Sequence, residues 1–133
     1  MSVLEKIFNV LKEQSFFNGI NFALAELPLN TPSATILSLR GGSSRNLYIG
    51  SGKQVDFLFK IVYKSNNDDT KSRAVANQFF ESVSAYLVGA KIDLGEGRAY
   101  IRCIQSSGVD KNAVNSSNAQ EWTAEYTLTY QEY

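Results

Sequence analysis

Gln54-Val55-Asp56-Phe57-Leu58-Phe59-Lys60-Ile61-Val62-Tyr63-Lys64 divides by parity, with Val55, Phe57, Phe59, Ile61 and Tyr63 on one set of alternate positions. The intervening positions hold Gln54, Asp56, Leu58, Lys60, Val62 and Lys64. A period of two sends the two sets to opposite faces of an extended chain, so this stretch predicts a long, half-buried antiparallel strand. The same alternation returns at the C-terminal end, where Trp122, Ala124, Tyr126, Leu128 and Tyr130 interleave with Thr123, Glu125, Thr127, Thr129 and Gln131. Two further strands are predicted, Ala34 to Leu39 from its β-forming residues and Arg98 to Gln105.

Helices fill the space between. Ser2 and Glu5 have capping-box spacing, and Val3, Leu4, Ile7, Phe8 and Leu11 then recur at helical intervals, predicting a helix over 3–13 that Asn18-Gly19 closes. Phe16, Phe17, Ile20, Phe22 and Leu24 follow as a short apolar segment, and Pro28 and Pro32 bracket a loop. Ser65-Asn66-Asn67-Asp68-Asp69-Thr70 supplies a cap and negative charge for a second helix, whose stripe of Ala76, Phe79, Phe80, Val83 and Leu87 ends at Gly89. The order helix, strands, helix, strands without repeated βαβ units predicts one α+β domain over 1–133, a mainly antiparallel sheet packed against two helices. Its 133 residues suit a single core. Arg40-Gly41-Gly42-Ser43-Ser44-Arg45 reads as a turn, and Ser106 to Gln120 as a long loop, either flexible or contacting a partner.

Absences narrow the chemistry. The chain has no histidine, which removes His-based triads, His metal sites and the simplest general base. Cys103 is the only cysteine, so no internal disulfide or Cys-based zinc site is expected, and a reducing compartment is. Thirteen basic residues balance thirteen acidic ones, which gives no overall attraction to nucleic acid or to acidic membranes. Charges in Met1-Ser2-Val3-Leu4-Glu5-Lys6 argue against a signal peptide, and no run approaches ~18 apolar residues, so neither export by that route nor membrane spanning is expected.

Tempting motifs fail on spacing. Gly50-Ser51-Gly52-Lys53 lacks the earlier glycine and the following Ser or Thr of a phosphate loop, with Leu47 and Gln54 in those places, and reads as a bend entering the long strand. Asn66-Asn67-Asp68-Asp69 lacks the glycine and glutamate of a calcium loop and reads as helix capping. Asn115-Ser116-Ser117 matches a glycosylation pattern but reads as loop polarity, and Cys103 as a small core residue rather than a nucleophile. No catalytic, cofactor or metal residues are therefore nominated.

Charge placement is the remaining local signal. From Arg40 to Arg73 seven basic residues face three acidic ones, while Glu121, Glu125 and Glu132 make the last strand purely acidic. This is either an ordinary solvated surface or a self-complementary one, on which the acidic strand of one copy meets the basic hairpin of the next. The candidate contacts are Arg40, Arg45, Lys53, Glu125 and Glu132. The aromatic last strand is either sheet core or, at an edge, a pairing site for another subunit.

Taken together, the N-terminal helix, the Leu27-Pro28 to Pro32 segment leading into Ala34 to Leu39, the glycine-bearing hairpin into Val55 to Tyr63, the helix over 74–87 and the closing Tyr126-Thr127-Leu128-Thr129-Tyr130 resemble the minor capsid and tail-terminator proteins of long-tailed bacteriophages. The resemblance spans nearly the whole chain and rests on element order and size. It implies a non-enzymatic virion protein that forms a ring, commonly hexameric, at the head-tail junction, ends tail-tube growth and joins the tube to head connector proteins after assembly in the host cytoplasm. It also implies that the loops Arg40 to Arg45 and Ser106 to Gln120 meet tube or connector. A tail tube or head-tail adaptor subunit is the neighbouring reading. A small-molecule enzyme or ligand-binding α+β domain, using tyrosines or carboxylates such as Glu121 and Asp56 in a pocket, is the rival from another class, followed by a nucleic-acid binder using Tyr48, Phe57 and Phe59.

Overall fold

Residues 2–25, 33–39, 43–46, 52–65, 69–111 and 120–133 are described in the computed structural model. In chain order the elements are α1 (Val3–Lys12), a 3-10 turn (Ser15–Phe17), β1 (Asn21–Leu24), β2 (Ser33–Ser38), β3 (Ser43–Asn46), β4 (Lys53–Ser65), α2 (Asp69–Gly89), β5 (Arg98–Gln105), β6 (Asp110–Lys111) and β7 (Gln120–Glu132). The α+β class stands, with a mostly antiparallel sheet of order β1-β2-β4-β7-β5. The one exception is β1, which runs parallel to β2 at the margin.

The centre of the sheet is the antiparallel pair β4 and β7, thirteen residues each and in register throughout, from Lys53 opposite Glu132 to Ser65 opposite Gln120. Shorter strands flank it on both sides. β2 and β3 lie successively along β4, and β5 and β6 successively along β7. The ends of β3 and β4 that residues 47–51 join, Asn46 and Lys53, therefore lie at one end of the sheet. The ends of β6 and β7 that residues 112–119 join, Lys111 and Gln120, lie toward the other.

Parity assigns the faces as the alternation requires. Phe59, Ile61 and Tyr63 of β4 stand opposite Tyr126, Ala124 and Trp122 of β7, and all six are buried. Val3, Ile7 and Leu11 of α1 and Ala76, Phe79, Phe80, Val83 and Leu87 of α2 join them in a single apolar cluster. Aromatic pairs tie the layers, with Phe79 stacked on Tyr63 at 4.7 Å and edge-on to Phe17 at 5.2 Å. The second face carries Leu58, Lys60, Glu125 and Thr127, half-buried, and Arg102 and Ile104, exposed.

The helix starts as its sequence dictates. Ser2 Oγ accepts from the Glu5 N–H at 3.2 Å, and the Ser2 N–H donates to Glu5 Oε1 at 3.3 Å, which satisfies two amides at the α1 terminus. The helix stops at Lys12, however, and Asn18-Gly19 closes the 3-10 turn instead, with Gly19 at φ +78°. The apolar segment after it becomes β1.

Two predicted loops are in part strand. Ser43 to Arg45, read as a turn, belongs to β3, because β4 continues past β2 and offers Lys53 to Asp56 as partners. Likewise Ser106 and Ser107 donate their amides to the Glu125 carbonyl at 2.8 and 3.4 Å, and Asp110-Lys111 pairs with β7, so the long loop begins later than its composition suggests. The last strand is central, between β4 and β5, and its Trp122, Tyr126 and Tyr130 are core. The edge alternative is thereby excluded. Pro28, Pro32, Arg40, Tyr48, Gly50-Ser51, Asn66-Asn67-Asp68 and Asn115-Ser116-Ser117 lie outside the described residues. Among the described residues no helix is long and apolar enough to cross a membrane.

Candidate functional site

At one end of the sheet four strands run level. Arg98, Glu132, Lys53 and Asn46 form the outermost row across β5, β7, β4 and β3, followed by Ala99, Gln131, Gln54 and Arg45. The third row is Tyr100, Tyr130, Val55 and Ser44, and the fourth Arg102, Thr129, Asp56 and Ser43. This pairing gathers three of the nominated residues, with Arg45 one row from Lys53 and Glu132.

Glu132 is the hub of the outermost row. Its Oε1 lies 3.4 Å from Lys53 Nζ and its Oε2 3.8 Å from Arg98 Nε. The Arg98 guanidinium also sits 6.0 Å from the Tyr130 ring centroid. These side chains are about a third to a half exposed, so each ion pair contributes at most about 1 kcal/mol. Backbone contacts hold the same corner, since the Tyr133 N–H donates to the Gly97 carbonyl at 2.8 Å. Gly52 enters β4 at φ +135°, and a Cβ there would stand 2.9 Å from the Glu132 carbonyl oxygen. Only glycine fits both the angle and the approach.

The basic and acidic strands are neighbours in one sheet, with Lys60 opposite Glu125, Lys64 opposite Glu121 and Lys53 paired to Glu132, so their charges meet within one subunit. Glu125 lies away from this corner, on the second face in mid-strand, where its N–H donates to Ser107 Oγ at 3.0 Å. Arg98, which sequence reading passed over, joins Glu132 through strand register alone. A hairpin between 98–105 and the last strand would have been its only signal.

Asp56 accepts from Thr129 Oγ1 at 2.8 Å, whereas Glu121 lies eight positions up β7 from Thr129, about 27 Å away at strand spacing. The two carboxylates share no pocket. Phe59 is wholly buried and cannot stack on a base. Between α2 and the end of β5 lies an open cleft of about 570 Å³ lined by Arg73, Asn77, Phe80, Glu81, Ser84, Gln105 and Val109. Ser84 Oγ donates to Gln105 Oε1 at 2.6 Å and lies 3.1 Å from Tyr126 Oη, which ties helix to sheet. A smaller cavity of about 220 Å³ between the 3-10 turn and α2 is lined mainly by Phe16, Ile20, Tyr63, Val75 and Phe79, below the usual ligand-pocket size.

Shifted ionisations point to packing. Burial pushes the Cys103 thiol and the Tyr126 hydroxyl each up to about 12, and raises Tyr63 and Tyr100 as well. An acid-base pair would show groups moved toward neutrality, and these move away from it. Among the described residues no three His, Cys, Asp or Glu side chains cluster as metal ligands.

No sequence family profile and no curated relative matches the chain. Solved structures share the fold. A chain of the virion of a native gene transfer agent particle matches with a TM-score of 0.69 and 14% identity, over 98% of this chain and 95% of that one. Another solved chain matches with a TM-score of 0.50 and 13% identity, over 97% of this chain and 89% of that one.

Proposed function

We propose that this chain is a non-enzymatic structural subunit of a phage-like virion, and within that class a tail-terminator or minor capsid protein. The observation that carries the reading is the end-to-end likeness to a chain of a gene transfer agent virion, which spans 98% of this chain. In this role the subunits form a homo-oligomeric ring at the head-tail junction. One face of the ring meets the last turn of the tail tube, the other is unlike a tube subunit, and growth ends there. The opposite face takes the head connector. Arg40, Arg45, Lys53, Glu125 and Glu132 remain the proposed contacts to neighbouring subunits or to the tube. Of these, Lys53 and Glu132 retain 45% and 35% side-chain exposure while paired to each other, which leaves hydrogen-bonding capacity for a partner.

Light scattering coupled to size exclusion, over a range of protein and salt concentrations, tests the reading when followed by negative-stain imaging. Closed rings with a central hole are expected. Open filaments would assign a tube subunit instead. A monomer at every concentration, with and without tail tube protein, would overturn the ring mechanism.

A further inference from the structure

Three residues of α2 stand in line along the open cleft between that helix and the end of β5. Arg73, Asn77 and Glu81 are spaced i, i+4, i+8, which sets them in one row on the helix surface. The row is ordered base, amide, acid, and it spans about 12 Å at the helical rise. Every residue lining the cleft is among the described ones.

The two walls differ in what they have left to offer. Ser84 and Gln105 are bonded to each other, and Gln105 Nε2 donates to the Ser107 carbonyl at 2.6 Å, so the sheet wall is held from within. The helix row is exposed, and among the described residues the side chains of Asn77 and Glu81 have no partner. Arg73 lies over the Trp122 ring, its guanidinium carbon 5.3 Å from the centroid. That contact leaves N–H donors of the guanidinium fork for a carboxylate.

Such a row suits a chain better than a compact ligand. A free amide between two charges can donate to one backbone carbonyl and accept from one backbone N–H, and an extended segment is the form of polypeptide that leaves both unpaired. Extended chain puts alternate side chains on one face, so residues four apart share a face and lie about 13 Å from each other. This matches the span from Arg73 to Glu81. Glu81 repels a nucleic-acid strand, and charged and amide walls are unlike the mostly apolar lining of a small-molecule pocket.

We propose that this cleft binds an extended segment of another protein, with an acidic residue against Arg73, a basic one four positions away against Glu81, and its backbone paired to Asn77. A second copy does not offer that pattern. Opposite charges four residues apart occur in this chain at Asp56 and Lys60, Lys64 and Asp68, and Asp69 and Arg73. The first pair is inside the central strand β4, Lys64 is 6% exposed, and the third pair is in α2. None is an extended segment free to dock. The site goes beyond the ring reading and does not depend on it.

Fluorescence anisotropy on the full chain tests the site, with labelled serine-threonine peptides of about nine residues as probes. Two carry Glu and Lys four apart, one in each order, a control carries them adjacent, and a fourth carries two Glu four apart. At least one of the first two is expected to bind saturably and about fivefold tighter than the control. Glu81→Arg, at an exposed position, is expected to weaken that peptide about fivefold and to strengthen the two-Glu peptide by a similar factor, with an unchanged circular dichroism spectrum. Asn77→Ala is expected to weaken both. No saturable binding up to about 1 mM protein, equal binding of the control, or an unchanged preference in Glu81→Arg would overturn the site, whatever the oligomeric state.

Discussion

Thr35 faces away from the helices, is 2% exposed, and among the described residues its hydroxyl has no hydrogen-bond partner. A buried hydroxyl left unmet costs about 1–3 kcal/mol, and valine has the same shape without the group. Thr35→Val is therefore expected to stabilise the fold by about 1 kcal/mol, read as a higher urea midpoint at unchanged slope. Cys103 and Tyr126 make a second case, in which burial raises both groups to about 12 from ordinary values of 9.0 and 10.0. A group whose folded value is raised lends stability that is whole below its unfolded value and lost as pH climbs toward the folded one. Stability should be level with respect to these groups through neutral pH and fall between about pH 9 and 12, and Cys103→Ala should show a shallower fall. A fall no shallower in that variant would count against the thiol. Individual residues were legible in sequence where their role was burial, as with Tyr126 and Cys103. The Glu132 cluster was not, because nothing local to Arg98, Lys53 or Glu132 says that strands 98–105 and 53–65 flank the last strand.

Among elements, the sequence spoke clearly for β4 and β7. Each is long enough for alternation to repeat, and a one-residue slip would turn the buried apolar side chains to the wrong face. β1, β3 and β6 have two to four residues each, and Ser43-Ser44-Arg45-Asn46 has no apolar member, so only the neighbouring strand makes them extended. The α1 start was legible for the opposite reason, since a capping box is complete within four residues. Ser2→Ala should cost about 1 kcal/mol and reduce helical signal slightly, measured by thermal melting with circular dichroism. Gly52→Ala carries a heavier penalty, because it combines a φ of +135° with a Cβ contact of 2.9 Å to the Glu132 carbonyl. A loss of about 1–3 kcal/mol is expected, with amide exchange rising at the Lys53 and Glu132 end of the β4 and β7 ladder before the rest. Uniform exchange across that ladder would refute a local origin.

The whole molecule is organised by one buried cluster that both helices and the central strands share. A single domain over 1–133 should then unfold in one step, and the protein offers convenient probes for testing it. Trp122, the only tryptophan, is 2% exposed in the sheet, while far-ultraviolet circular dichroism reports α1 and α2. Coincident transitions by fluorescence and dichroism are expected, and separate midpoints would divide the chain into independent units.

The placement of the two hairpin connections has a consequence for how such a subunit can change. Residues 47–51 and 112–119 join strands at opposite ends of a central ladder thirteen residues long, about 40 Å apart at strand spacing. Each connection is supported by its own pair of strands, and the two pairs meet only along β4 and β7. A lineage can therefore lengthen, shorten or recharge one connection while the other keeps its sequence and its surroundings. Exchanging one connection is therefore expected to leave the β4–β7 ladder and the strand pair that supports the other connection unchanged.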